Sequence, residues 1–151
     1  MKRLGIGSLL AVLTLTGCSG HRPLNLGVQD GRLAACPASP NCVSSQATDP
    51  QHAIRPLRYT GTPAESKAAL KAVLQALPRT HIVSETDDYL YVEFTSALWR
   101  FVDDVEFYWD KTRPEIQIRS ASRLGYGDLG VNRRRVETIR EKLGWEKTPH
   151  G

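Results

Sequence analysis

The stretch WRFVDDVEFYWD, Trp99 to Asp110, together with EIQIRSASR, Glu115 to Arg123, constrains this chain more than any other part of it. In the first segment Trp99, Phe101, Val105, Phe107 and Trp109 fall on one side. Arg100, Asp104, Glu106 and Tyr108 fall on the other, and Asp103 interrupts the apolar side. A period of two marks a strand with one face against a core. The two segments therefore predict an antiparallel hairpin turning through Lys111-Thr112-Arg113-Pro114. A register slip of one residue would turn every apolar side chain outward, so the pattern selects the pairing. Setting Phe107 opposite Ile118 puts Glu106 opposite Arg119 and Asp104 opposite Ala121, with Arg123 diagonal to Asp104 on the polar face. Asp103 then faces Ser122 on the core side. An acidic strand and a basic strand become neighbours.

The flanking segments supply the rest of an α+β domain. A first strand is expected near Ile54–Tyr59. Thr62-Pro63-Ala64-Glu65 has the form of a capping box with proline at the first helical position, and Leu70, Val73, Leu74 and Leu77 give the following helix one apolar stripe up to Pro78. His81–Glu85 and Tyr89–Ser96, joined by Thr86-Asp87-Asp88, form a hairpin in which Leu90, Val92 and Phe94 share a face. His81, alone at the start of its strand, reads as an edge or surface histidine. A closing helix carries Val136, Ile139 and Leu143 on its apolar side, and Asn132 lies one turn before Val136 on that side. The expectation is a single α+β domain over residues 34–147, an antiparallel sheet of about four to five strands with two helices packed on it.

Gly125-Tyr126-Gly127-Asp128-Leu129-Gly130 satisfies the spacing of a dinucleotide fingerprint. A dinucleotide site also needs a further parallel strand and an acidic residue about 20 positions on. Here the chain ends shortly after the helix, so the glycines are read as turn residues with positive φ and no cofactor is expected. The start of the last helix, with Arg133, Arg134 and Arg135 in its first turns, has two readings: an anion site at a helix N-terminus, or arginines that pair with the acidic strand or face water.

The N-terminus indicates a compartment. Met1-Lys2-Arg3 precedes an apolar run from Leu4 to Leu15, too short to remain as a spanning helix. The following LTGC, Leu15 to Cys18, resembles the lipobox of bacterial lipoproteins. Residues 1–17 are thus expected to be a lipoprotein signal peptide, with lipidated Cys18 starting an 18–33 tether. Ser19, in place of Asp, resembles lipoproteins sorted to the outer membrane, so the expected location is its periplasmic face. Cys36 and Cys42 then remain as a pair in an oxidising compartment, and the intervening prolines favour a disulfide. A closed zinc site would need two further ligands, and C-x-x-C chemistry a different spacing, so no metal is expected. Ser44 and Ser45 lack a nucleophile elbow and read as loop residues that bond to backbone.

Removing Lys2 and Arg3 leaves 18 basic against 16 acidic side chains, a net charge of +2, too balanced for a nucleic-acid binder. The acidic middle of the chain lies between basic flanks, which suggests internal neutralisation.

CPASPNCVSS, RFVDDVEF and RSASRLGYGDLGVNRRRV together resemble the family called domain of unknown function 1499, small bacterial lipoproteins and exported or plastid proteins, from about Leu26 to Leu143. That resemblance implies a domain extent and carries no activity. Two functions follow from the residues. One is a non-catalytic binding or envelope-associated module, anchored to the membrane by lipid, whose partner is a small anionic or polar ligand or an envelope protein. The other is an envelope hydrolase with Asp103, Asp104 or Glu106 as general acid or base and Arg119 or Arg123 stabilising charge. The candidate polar site comprises Asp103, Asp104, Glu106, Arg119, Ser122, Arg123, Asp128, Asn132 and Arg134.

Overall fold

The computed structural model describes residues 20–145. The expected signal peptide, 1–17, and the lipidation position Cys18 lie outside the described residues. In chain order the elements are β1 Cys42–Ser44, β2 Leu57–Arg58, α1 Pro63–Ala76, β3 Thr80–Glu85, β4 Tyr89–Thr95, β5 Val102–Trp109, β6 Glu115–Ser122 and α2 Val131–Leu143. The strands form one antiparallel sheet in the order β1-β6-β5-β4-β3, with β2 also pairing with β6. Sheet and helices make an α+β domain, with six strands where four to five are expected. The additional strand is β1. Its three residues are too few for alternation to register, and it exists because Cys42 and Ser44 pair with Ala121 and Arg119. The strand expected at Ile54–Tyr59 contracts to Leu57–Arg58.

The central hairpin has the register the side chains select: Phe107 opposite Ile118, Glu106 opposite Arg119, Asp104 opposite Ala121 and Asp103 opposite Ser122. It begins later than the alternation suggests. Ser96 N–H donates to the Phe101 carbonyl, Phe101 N–H donates to Ser96 Oγ, and Arg100 takes a left-handed φ of 58°. That closed turn lifts Trp99 and Phe101 out of the pleat and away from the core.

Both helices lie on one face. Thr62 Oγ1 accepts from Glu65 N–H at 3.2 Å and Glu65 Oε2 accepts from Thr62 N–H at 2.8 Å, a reciprocal cap that stabilises α1 by about 1 kcal/mol. Leu70 and Leu74 are fully buried, and Ser66 Oγ accepts from Trp109 Nε1 at 2.8 Å, which ties α1 to β5. From α2, Val136 and Ile139 complete the core with Leu90, Val92, Val105, Phe107, Ile116 and Ile118. Each such side chain contributes roughly 1.5–3 kcal/mol on leaving water.

No helix covers the opposite face, yet all eight residues of β5 are buried. The cover is irregular chain before β1. Residues assigned to the 18–33 tether run over this face: Arg22 reaches Glu93, Gly27 N–H reaches Glu106, and Gly31 lies by the Tyr108 hydroxyl. Gln46 holds the far end, accepting from Leu33 N–H at 2.8 Å and donating to the Gly31 carbonyl at 3.0 Å. The Cys36–Cys42 disulfide, with Cα atoms 5.7 Å apart, joins this cover to β1. Closing so short a loop stabilises by about 2–3 kcal/mol. Ser45 bonds to backbone as expected, its Oγ accepting from Ile118 N–H at 2.8 Å. His81 is exposed on the edge strand β3.

Candidate functional site

The nine candidate residues separate into two clusters on opposite faces of the sheet, with Arg134 apart from both. Alternation along β5 is the reason. Asp104 and Glu106 point to the coil-covered face, and Asp103 points to the helices.

On the covered face, Arg123 binds Asp104 in bidentate fashion, its Nε donating to Oδ2 at 3.1 Å, and donates to Glu93 Oε1 at 2.7 Å. The Tyr91 hydroxyl lies 2.6 Å from Asp104 Oδ1 and 3.0 Å from Glu93 Oε1, with its single proton between the two carboxylates. Arg22 adds a bond to Glu93 at 2.8 Å and stacks over the Tyr91 ring at 5.5 Å. Burial alone would raise the Glu93 carboxyl, but its bonds from Arg123, Arg22 and Tyr91 outweigh this and hold it at about 2. Burial, with Asp104 and Glu93 alongside, pushes the Tyr91 phenol well above its usual range, so it remains a neutral donor.

Further along the same face, Glu106 is fully buried. Its Oε1 accepts from Gly27 N–H and from the Tyr89 hydroxyl, each at 2.8 Å. Its Oε2 has Arg119 Nη1 at 3.4 Å, a long contact for an ion pair. Desolvation prevails over these donors, and the Glu106 carboxyl titrates above its ordinary value. Gly27 makes its contact at a φ of 102°, a conformation that favours glycine. Arg119 is 5% exposed, and among the described residues its Nε is the one buried side-chain polar atom without a hydrogen-bond partner.

The second cluster centres on Asn132, fully buried at the start of α2. Its Oδ1 accepts from Ser120 Oγ and from Arg135 Nη1, each at 2.6 Å. Its Nδ2 faces the Asn41 carbonyl at 3.1 Å, Ser122 Oγ at 2.9 Å and Asp128 Oδ2 at 2.8 Å. Asp128 also accepts from Gly130 N–H and Asn132 N–H, which caps the helix. Burial works against the Asp128 charge, but these amides prevail and its carboxyl lies below its usual range. Arg135 joins α2 to β5 by pairing with Asp103 and lies 4.7 Å over the Phe94 ring. In the glycine turn Gly125 and Gly130 take positive φ, 89° and 77°, as expected, whereas Gly127 does not and Leu129 does, at 53°.

Of the three helix-start arginines, one pairs with the acidic strand and two bond to backbone carbonyls. Arg135 takes Asp103, Arg133 donates to the Ala53 and Gln51 carbonyls, and Arg134 folds back on the Leu129 carbonyl at 2.8 Å. Sequence reasoning missed Tyr89, Tyr91 and Glu93. Their signal was available, since they alternate with Leu90, Val92 and Phe94 and must share the face of Asp104 and Glu106. Arg22 and Gly27 had no such signal, because they meet the sheet across 71 and 79 residues of chain.

Neither cluster contains a nucleophile held by a base, and the carboxylates are occupied by arginine, tyrosine and amide donors. Among the described residues, no group of three or more His, Cys, Asp or Glu side chains is arranged to hold a metal ion.

A family model described as a protein of unknown function, DUF1499, matches residues 32–143. The chain belongs to the DUF1499 family. No curated protein matches it. The DUF1499 match takes in the disulfide loop, every strand and both helices. It starts at Arg32, so most of the chain lying over the Glu106–Arg119 pair precedes it.

Proposed function

We propose that this DUF1499 protein is a lipid-anchored, non-catalytic module of the bacterial envelope, held at the periplasmic face of the outer membrane by acylated Cys18, which binds a small anionic or polar ligand or a partner protein. One observation carries the non-catalytic reading. Asp104 and Glu106, the carboxylates a hydrolase would need, are 1% and 0% exposed beneath the covering chain. A general acid must come within hydrogen-bond reach of its substrate, and these two are already engaged by Arg123, Tyr91, Tyr89 and Gly27.

The location rests on LTGC after a short apolar run, and the Cys36–Cys42 disulfide suits an oxidising compartment. The unpartnered Nε of Arg119, buried beneath the covering chain, is a spare donor that a small anionic group would reach only where that cover opens. Native mass spectrometry of protein extracted from its own envelope tests the whole reading. A diacylglyceryl mass lost in Cys18→Ala, together with a retained anion or partner lost in Arg119→Met, is the expected result. An unacylated chain overturns the anchor, and turnover of an envelope substrate overturns the non-catalytic assignment.

A further inference from the structure

Among the described residues, six of the eight large apolar side chains that the fold leaves in water gather at one end of the sheet, Leu24 and Val131 lying outside this group. Leu98, Trp99 and Phe101 stand on the β4–β5 turn, and Leu124, Tyr126 and Leu129 on the β6–α2 loop. Trp99 is 69% exposed, Tyr126 77% and Leu129 93%, although the same chain buries its other large apolar strand residues almost completely. The two loops adjoin. Arg123 N–H donates to the Val102 carbonyl at 3.1 Å, so the strands that carry Phe101 and Leu124 are still paired where the loops begin. A concentration of exposed apolar surface on a small domain marks an interaction site.

The start of the described chain indicates what covers it. A Cβ on Gly20 would lie 3.0 Å from Leu124 Cγ, so Gly20 rests against this same loop. Gly20 is two chain steps from Cys18, with only Ser19 between them, and extended chain spans at most about 3.6 Å per residue. The Cys18 Cα, from which an acyl group would extend, therefore lies within about 7 Å of the Gly20 Cα. The apolar end has to lie at the membrane surface.

The side-chain chemistry agrees with that position. Trp and Tyr favour the boundary between head groups and acyl chains. Arg100 is exposed on the first loop, and Arg79, also exposed, is held beside it by exchanging hydrogen bonds with Thr95. Cations near an apolar surface complement anionic head groups.

We infer that this end of the domain is a membrane-docking surface, in which the two loops insert apolar and aromatic side chains into the interfacial region of a phospholipid bilayer. It rests on the acylated Cys18 proposed above. The lipid holds the protein at the membrane, and the loops orient it. In that orientation the opposite end points away from the bilayer, with the Asp88 and Lys111 turns and a 680 Å³ cleft between them.

The test uses the full acylated protein in vesicles of phosphatidylethanolamine and phosphatidylglycerol with brominated acyl chains, which quench tryptophan on contact. Trp109 is buried and Trp145 packs against the core, which leaves Trp99 as the exposed reporter. Bromolipid should remove a component of the emission that Trp99→Leu also removes. Leu98→Asp with Tyr126→Asp should abolish the quenching with the melting temperature and Cys18 acylation unchanged. Equal emission with and without bromine, in protein that floats with the vesicles, overturns the docking and leaves the anchor standing. An intact mass without acyl groups overturns the anchor, and the docking inference with it. Dimerisation that depends on Trp99, without quenching, assigns the surface to a second copy and overturns the lipid.

Discussion

Both faces of this sheet bury their central residues, and they differ in almost everything else. Toward the helices, Leu90, Val92, Phe107 and Ile118 meet Leu70, Leu74, Val136 and Ile139, and contact among them needs no particular direction. Toward the covering chain, Tyr89, Tyr91, Glu93, Asp104, Glu106, Arg119 and Arg123 meet irregular backbone, and every buried charge needs a partner in the right place. An apolar face tolerates approximate packing at a modest cost. A charged face under coil does not, because a single missing donor leaves a desolvated charge. The difference explains why a segment without helix or strand can form a layer of the fold. Its Gly27 amide donates a hydrogen bond to the Glu106 carboxylate, and its Arg22 pairs with Glu93.

Mutations at the centre of each face distinguish these two kinds of burial most strongly. Phe107→Ala on the helix side should cost about 3–5 kcal/mol, from lost transfer energy and a cavity. Arg119→Ala should cost a similar 3–5 kcal/mol for another reason, because Glu106 is left charged and buried. The second step separates them. Adding Glu106→Gln to Arg119→Ala should restore part of the loss in denaturant unfolding, since the amide keeps an acceptor for Gly27 and Tyr89 and removes the unpaired charge. Absence of any recovery would mean that packing, not charge, maintains the covered face.

Acid should act on the covered face with a smaller effect. Glu93 is depressed from 4.5 to about 2, so its contribution is complete above pH 4.5 and disappears as pH falls toward 2. Glu106 has the opposite sign: its raised pKa makes protonation favour the folded state, and its contribution decreases as pH rises through that value. Thermal melts across the acid range should show Glu93→Gln flattening a loss on the order of 2 kcal/mol. An unchanged pH profile in Glu93→Gln would remove the Arg123–Glu93–Arg22 contacts from the account of the cover.

The smallest effect belongs to the outermost contact. Arg22 is 52% exposed, so Arg22→Ala should change global stability by less than about 1 kcal/mol. Hydrogen exchange at Gly27 should nevertheless accelerate, while the amides of β5, bonded within the sheet to β4 and β6, remain protected. Equal acceleration on both sides would show that cover and core open as one unit.

The amino-acid sequence by itself determined the parts governed by short-range periodicity. The capping box starts α1 where Thr62 and Glu65 require it. The alternation in β5 and β6 sets a register that places Glu106 opposite Arg119 and Asp104 within reach of Arg123, and the disulfide follows from two cysteines and two prolines. Those features depend on residues a few positions apart, or on strands joined by a short turn. Tertiary structure alone decided that Asp103, which alternation already sets on the face opposite Asp104, takes Arg135 of α2 as its partner. It alone placed β1 beside β6, and Arg22 and Gly27 on the sheet. These pairings close loops of about 70 residues or more, and over such separations no local pattern identifies the partner. Which backbone amide meets a buried carboxylate depends on the whole fold, because every residue other than proline carries the same amide.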